Sequence, residues 1–156
     1  MRVAILTVSD TRKLANDSSG DALVALLEDF GAAIVERSIV SDDLAHLRET
    51  IFALTERGDV DLVLTTGGTG FGPRDNTPEA TRSVIDRDAP GLAEAIRRET
   101  AGKTPMAMLS RGVAGIRKQT LIVNLPGSPK AVAECFDIIR PVLSHAVDLI
   151  RGKTQH

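Results

Sequence analysis

The chain has 156 residues, 42% of them hydrophobic and 26% charged, with a formal net charge of -2, values of an ordinary folded domain rather than of a disordered segment. The near-neutral balance excludes broad electrostatic attraction to nucleic acid or an anionic membrane, which needs clustered Lys and Arg, and four Phe without Trp or Tyr leave too few aromatics for a base-stacking surface. The single cysteine, Cys135, excludes an internal disulfide or a clustered-cysteine zinc site and points to a reducing compartment.

Taken in chain order, Val3 to Val8 is an apolar, β-branched run that reads as a strand covered on both faces of a parallel sheet. It is too short for a signal-peptide core or a membrane span, so a cytoplasmic protein is expected. After a polar loop, Leu23, Leu26, Leu27 and Phe30 repeat at helical spacing, which predicts a helix over 21–30 stopped by Gly31. A second strand is predicted over 32–40. Ser41 can cap a helix with apolar positions Leu44, Leu47, Ile51 and Leu54, ending at Gly58. A third strand, 60–66, runs into Gly67-Gly68-Thr69-Gly70, and Thr77-Pro78 supplies an N-cap and a first-turn proline for the next helix.

Ala89-Pro90-Gly91 breaks the chain before a helix from Leu92 to about Ala101. A short strand, 106–109, leads to the basic loop Arg111 to Lys118, which is expected to fold partly as a hairpin. Thr120 to Leu125 is a strand and Pro126-Gly127-Ser128-Pro129 a turn. A long helix follows from Ala131 to about Arg151, interrupted or bent at Pro141. The alternation predicts an α/β fold, a three-layer α/β/α sandwich with a mostly parallel central sheet. Without a linker or a repeat, it predicts one domain over 1–156, with 152–156 a polar tail.

In open α/β sheets, ligands bind beyond the carboxyl ends of the strands. Four loops lie there: Ser9-Asp10-Thr11 with Asp17 to Gly20, Ser41-Asp42-Asp43, Thr65 to Thr77, and Asn124 to Pro129. Glycines in the third let backbone N–H groups approach phosphate oxygens, although a tight strand-to-helix turn is the competing meaning of such a run. It is neither a Walker A loop nor the dinucleotide fingerprint. Asp42 and Asp75 each follow a strand end, as a Mg2+ and nucleotide triphosphate site requires. On spacing alone, helix capping is the commoner role for Asp42. Ser128 is placed to cap the last helix beside Lys130, and Ser110, Arg111, Arg117 and Lys118 offer a hydroxyl and cations for phosphate or simply a solvated basic loop. His46, His145 and His156 share no metal-ligand spacing, and Cys135 falls inside a helical pattern where a small buried residue is the ordinary reading.

Together Thr65 to Gly70, Pro73 to Thr81, Ala107-Met108-Leu109-Ser110-Arg111, Ala114 to Arg117 and Asn124 to Pro129 resemble the MogA/MoaB family of molybdenum cofactor biosynthesis, along essentially the whole chain. The resemblance implies a homotrimeric molybdopterin-binding fold that, in the enzymatic branch, adenylylates molybdopterin with MgATP and releases pyrophosphate. By motif position it implies Asp42 and Asp75 as catalytic and Mg2+-holding residues. Nucleotide phosphates would meet Thr66, Gly67, Gly68, Thr69, Gly70 and Arg74, with Pro126, Gly127 and Ser128, and the pterin would meet Ser110, Arg111, Thr100, Ser9 and Asp10. The molybdenum insertion protein would be a partner. Thr7 to Arg12 with Asp17 to Gly20 is closer to the MoaB branch, and Phe71 to Thr81 with the Ser110 region to the adenylyltransferase branch. The alternative is therefore a non-catalytic, MoaB-like pterin carrier. Asn76 stands where the family pattern has a small apolar residue.

Overall fold

The computed structural model describes residues 1–153, so Thr154 to His156 of the expected tail lie outside the described residues. In chain order the elements are β1 (Arg2–Val8), α1 (Ser18–Asp29), β2 (Ala33–Val40), α2 (Leu44–Glu56), β3 (Leu62–Thr66), α3 (Thr77–Arg82), β4 (Arg87–Asp88), α4 (Pro90–Ala101), β5 (Ala114–Arg117), β6 (Thr120–Leu125) and α5 (Pro129–Ile150). One six-stranded sheet runs in the order β2-β1-β3-β6-β5-β4. Its first four strands are parallel, while β5 returns antiparallel to β6 and β4 antiparallel to β5.

Alternate residues of the central strands feed two cores, as a strand period of two requires. Val3 and Ile5 pack with Leu23, Leu27 and Phe136 beneath α1, α4 and α5. Ala4, Leu6 and Val8 pack with Leu47, Ile51 and Ala80 beneath α2 and α3. Both faces of the sheet are covered, which is why β1, β3 and β6 read as continuous apolar runs rather than alternating ones. The architecture is the expected three-layer α/β/α sandwich.

Several boundaries differ from the sequence reading, each for a local reason. The first helix begins at Ser18 because the Asp17 carboxylate accepts the Gly20 N–H at 3.0 Å and caps it. Asp43, not Ser41, caps α2, accepting the His46 N–H at 2.9 Å. Thr77 is the first residue of α3 rather than its cap, and its hydroxyl donates to the Gly67 carbonyl at 2.8 Å. The segment Pro105–Leu109, expected in part as a strand, is a 3-10 turn, because Pro105 sits at its first position and Thr104 accepts the Met106 N–H. The hairpin forms between β5 and β6 through Lys118, at φ 49°. Its neighbour β4, two exposed residues long, carries too little pattern to be read from sequence. The last helix is continuous through Pro141. Pro141 and Asp137, four residues before it, are both exposed, so the carbonyl deprived of its donor lies on the solvent side.

Candidate active site

The four loops converge at the carboxyl edge of the parallel strands. β3 turns at once into the glycine loop, with φ +99° at Gly67 and +64° at Gly68. A Cβ on Gly67 would stand 2.5 Å from the Val8 carbonyl oxygen, and one on Gly68 would stand 2.5 Å from Thr77 Oγ1 and 3.0 Å from Asp42 Oδ1. Only glycine lets β1, β3, α3 and Asp42 approach this closely. The loop is tied to its neighbours: Gly67 N–H donates to the Leu125 carbonyl at 3.1 Å, and the buried Thr66 hydroxyl donates to the Pro126 carbonyl at 2.7 Å. The Thr66 side chain is therefore a tie between the β3 and β6 loops.

Because Asp43 caps α2, Asp42 is released from that duty and its carboxylate stands against Gly68. Its backbone N–H donates to Asp10 Oδ1 at 3.1 Å, and its carbonyl accepts Asn76 Nδ2 at 2.7 Å. Asn76, the departure from the family pattern, thus pins the β2 loop to the start of α3. Arg74 grips Asp10 in a two-point pair, at 2.5 and 2.9 Å, and Asp75 Oδ2 accepts the Gly72 N–H at 2.8 Å. Burial, followed by the charges of Asp10 and Asp75, pushes the Asp42 carboxyl above its ordinary range, partly offset by the Asp10 N–H and by Arg74. The hydrogen bonds from Arg74 hold Asp10 below its own range. Asp42 is thus a carboxylate whose charge is only partly compensated. Among the described residues, no three His, Cys, Asp or Glu side chains are grouped so as to hold a metal ion by themselves.

On the α4 and α5 side of the glycine loop lies a pocket of about 330 Å³, lined among others by Gly70, Phe71, Thr100, Ser110 and Glu134. The Thr100 hydroxyl donates to the Ile96 carbonyl of its own helix at 2.6 Å, so it serves α4 first. The Ser110 oxygen accepts only a long bond from Gly112 N–H, 3.4 Å, which leaves its proton for another partner. Cys135 also lines this pocket, but burial pushes its thiol up to about 11 and keeps it protonated. Arg111 runs along the loop: Nε donates to the Gly70 carbonyl and a terminal nitrogen to the Asp75 carbonyl, both at 2.6 Å, and the guanidinium also pairs with Glu79. With three donors so engaged, Arg111 braces the loop. A larger apolar groove of about 460 Å³, against Leu92, Ile116 and Leu149, contains no candidate site residue.

Around these two compartments, Ser9 stabilises its own turn by accepting the Thr11 and Arg12 N–H groups at 3.3 and 3.2 Å. Ser128 caps α5 through the Ala131 N–H at 3.2 Å, and Gly127 lies against Gly67. Three contributors escaped the sequence reading. Arg12 spans from Ser19 to the Gly127 carbonyl, 3.2 Å, joining the β1 and β6 loops. Buried Asp17 accepts the Gly20 N–H at 3.0 Å, Thr7 Oγ1 at 2.8 Å and Arg37 at 3.2 Å, and is held below its ordinary range because these partners outweigh the cost of burial. Asp17 was legible as a cap from its spacing to Gly20. Glu134, in mid-helix without a motif, was not.

A glycine loop, a helix N-terminus and acidic residues gathered at the carboxyl edge of a mostly parallel sheet place this chain among α/β proteins whose candidate ligand site lies beyond the strand ends. The family described as a probable molybdopterin binding domain matches residues 4–145, and this chain belongs to it. It is 37% identical to a molybdopterin adenylyltransferase of Helicobacter pylori strain J99, over 97% of this chain and 89% of that protein. A crystal structure of the molybdopterin biosynthesis enzyme MoaB of Thermus thermophilus superposes with a TM-score of 0.89 at 45% identity, covering 99% of both chains. The chain is also 45% identical to the molybdenum cofactor synthesis protein cinnamon of Drosophila melanogaster, but covers 94% of its own length and only 25% of that longer protein.

Proposed function

We infer that this chain is a molybdopterin adenylyltransferase of molybdenum cofactor biosynthesis, using ATP and molybdopterin as substrates. The observation that carries this is the glycine loop itself, whose Gly70 meets Asp75 on the acidic side and lines the pocket with Ser110 on the other. One loop so placed can hold two phosphorylated ligands end to end.

The terminal phosphate of molybdopterin attacks the α-phosphorus of ATP, a new P–O bond forms, and the bond to the departing pyrophosphate breaks. A phosphate monoester is already anionic near neutral pH, so no strong base is needed, and alignment with charge screening does most of the work. Backbone N–H groups of Thr69, Gly70 and Phe71 and the N-terminus of α5 approach the phosphates. Arg74 is the exposed cation beside them, exchanging Asp10 for phosphate oxygens. The donor chemistry fits Mg2+: Asp42 and Asp75 are hard oxygen ligands, and Asp42's excess charge would be relieved by a cation. Asp42 and Asp75 would hold the ion while it kept part of its water, as Mg2+ prefers. Bound there, Mg2+ would supply charge neutralisation for the triphosphate. Arg111 and Asn76 contribute by fixing the loop and the Asp42 turn.

The enzyme acts in the cytoplasm as a homotrimer and passes adenylylated pterin to the molybdenum insertion protein. Among the described residues no helix is long and apolar enough to cross a membrane. The test is a single-turnover reaction of purified protein with molybdopterin, ATP and Mg2+, following adenylylated pterin and pyrophosphate. Stoichiometric formation of both is expected. Tight pterin binding without either product, across varied metals, would make the chain a carrier.

A further inference from the structure

The pocket between the glycine loop, α4 and α5 has one charged lining residue, Glu134, on the second turn of α5. The other polar groups there are largely spent. Thr100 bonds its own helix, and Thr104 accepts the Met106 N–H. Asn124 donates to Thr65 at 3.0 Å and to Thr81 at 2.9 Å, while its oxygen accepts the Val113 N–H at 3.2 Å. What remains is a set of hydroxyls with a proton to donate, on Thr69, Thr104 and Ser110, and one charged acceptor, the Glu134 carboxylate. Glu134 is about three-quarters buried, at 22% side-chain exposure, and among the described residues its charge is met only by a loose 3.7 Å contact with the exposed Lys103. A half-sheltered carboxylate with open acceptor positions, on the wall of an otherwise apolar pocket, selects for a ligand with paired N–H donors.

Of the two substrates, one has such an edge. The pyrimidinone ring of a pterin presents its 2-amino group and ring N3–H side by side, matching the two oxygens of a carboxylate. The Watson–Crick edge of adenine presents one amino donor beside the N1 lone pair, which a carboxylate repels. We propose that Glu134 is a specificity residue that reads the 2-amino and N3–H edge of the pterin. This rests on the adenylyltransferase reading. Ser110, in the same pocket, would then meet the phosphate end of the pterin.

The experiment measures equilibrium binding of molybdopterin and of ATP separately, by fluorescence, to wild type and to Glu134→Gln. Loss of a charge-assisted pair is expected to raise the molybdopterin Kd by about tenfold or more while leaving the ATP Kd within about twofold. A parallel competition on wild type needs no variant: 2-amino-4-oxopteridine should displace molybdopterin about tenfold better than 2,4-dioxopteridine, which lacks the amino group. Equal displacement by the two pteridines, or a Glu134→Gln protein that binds molybdopterin normally, would overturn the assignment. So would a variant that loses ATP and keeps the pterin. A wild-type protein that binds pterin with this preference yet forms no adenylylated product would remove the catalytic reading and leave the Glu134 assignment standing.

Discussion

The two sides of the glycine loop are built by opposite means. On the acidic side, Asp10 and Arg74 are held by a charge pair and Asp75 by the Gly72 N–H, partly open to solvent, with Asp42 pushed above its ordinary range first by burial and then by the charges of Asp10 and Asp75. On the pocket side, Ile96, Thr100 and Cys135 are held by packing, with hydroxyls returned to the backbone. On the proposed adenylyltransferase reading, the difference would separate two tasks. A triphosphate changes charge distribution as it reacts and needs adjustable partners, whereas a heterocycle needs a fixed shape and few, well-chosen polar contacts. The wall between them must be thin, and Gly67 to Gly72 make it so.

The comparison breaks most visibly if the acids are neutralised. Asp42→Asn and Asp75→Asn are each expected to slow adenylylation at least hundredfold, about 2.7 kcal/mol in barrier, while molybdopterin binding changes by no more than a few-fold. Single-turnover rates set beside binding isotherms check this, and unchanged rates in both variants would remove their catalytic roles. Next in size is the wall: Gly67→Ala should cost about 3 kcal/mol of folding stability, since a Cβ meets the Val8 carbonyl at positive φ. Gly31→Ala, equally at positive φ but in open space, should cost only about 1 kcal/mol in the same urea titration. Equal losses would mean that the close approach is not maintained in solution.

A smaller effect separates brace from ligand. Arg111→Lys removes the fork that spans the Gly70 and Asp75 carbonyls, and turnover should fall about tenfold with a lesser change in pterin affinity. Thr100→Val should stay within about twofold in rate, its hydroxyl being committed to Ile96. The smallest effect is on stability against pH. A raised carboxyl in the folded state binds its proton more tightly than in the unfolded state, so Asp42 weakens the ligand-free fold as pH rises above the ordinary carboxylate range. Asp42→Asn should therefore melt higher than wild type at neutral pH, with the gap closing in acid. Asp17, lowered by its partners, has the opposite sign: its stabilisation is present above the ordinary range and is lost as pH falls below it. A thermal melt series from pH 7 to about pH 3 reads both.

Much of this was legible in residues. The apolar runs of β1, β3 and β6 declared buried parallel strands, and Gly67 to Gly70 declared a tight turn directly out of β3 at the carboxyl edge of the sheet. Other features were misread because two local signals competed. Ser41, Asp42 and Asp43 can each cap α2, and only the geometry of the β2 exit selects Asp43, freeing Asp42. In Met106 to Leu109, apolar residues suggested a strand, but Pro105 and the Thr104 cap turn them into a 3-10 turn with exposed Met106 and Met108. Gly20 reads as a loop residue, yet it lies in α1 because Asp17 caps the helix at its N–H, and it must be glycine because the Asp17 carboxylate occupies the place a Cβ would need.

The sequence alone determined the layer order, the sheet-edge location of the loops and the acids and glycines they carry, because hydrophobic period, turn residues and caps act over a few positions. Only the tertiary structure decided which donors were already spent. Thr66, Thr100 and Arg111 looked like ligand contacts and are engaged with the Pro126, Ile96, Gly70 and Asp75 carbonyls, while Glu134, without a motif, kept open acceptor positions on the pocket wall. Hydrogen-bond satisfaction is settled by partners far away along the chain, 60 positions for Thr66 and Pro126 and 115 for Arg12 and Gly127, and no local pattern encodes it.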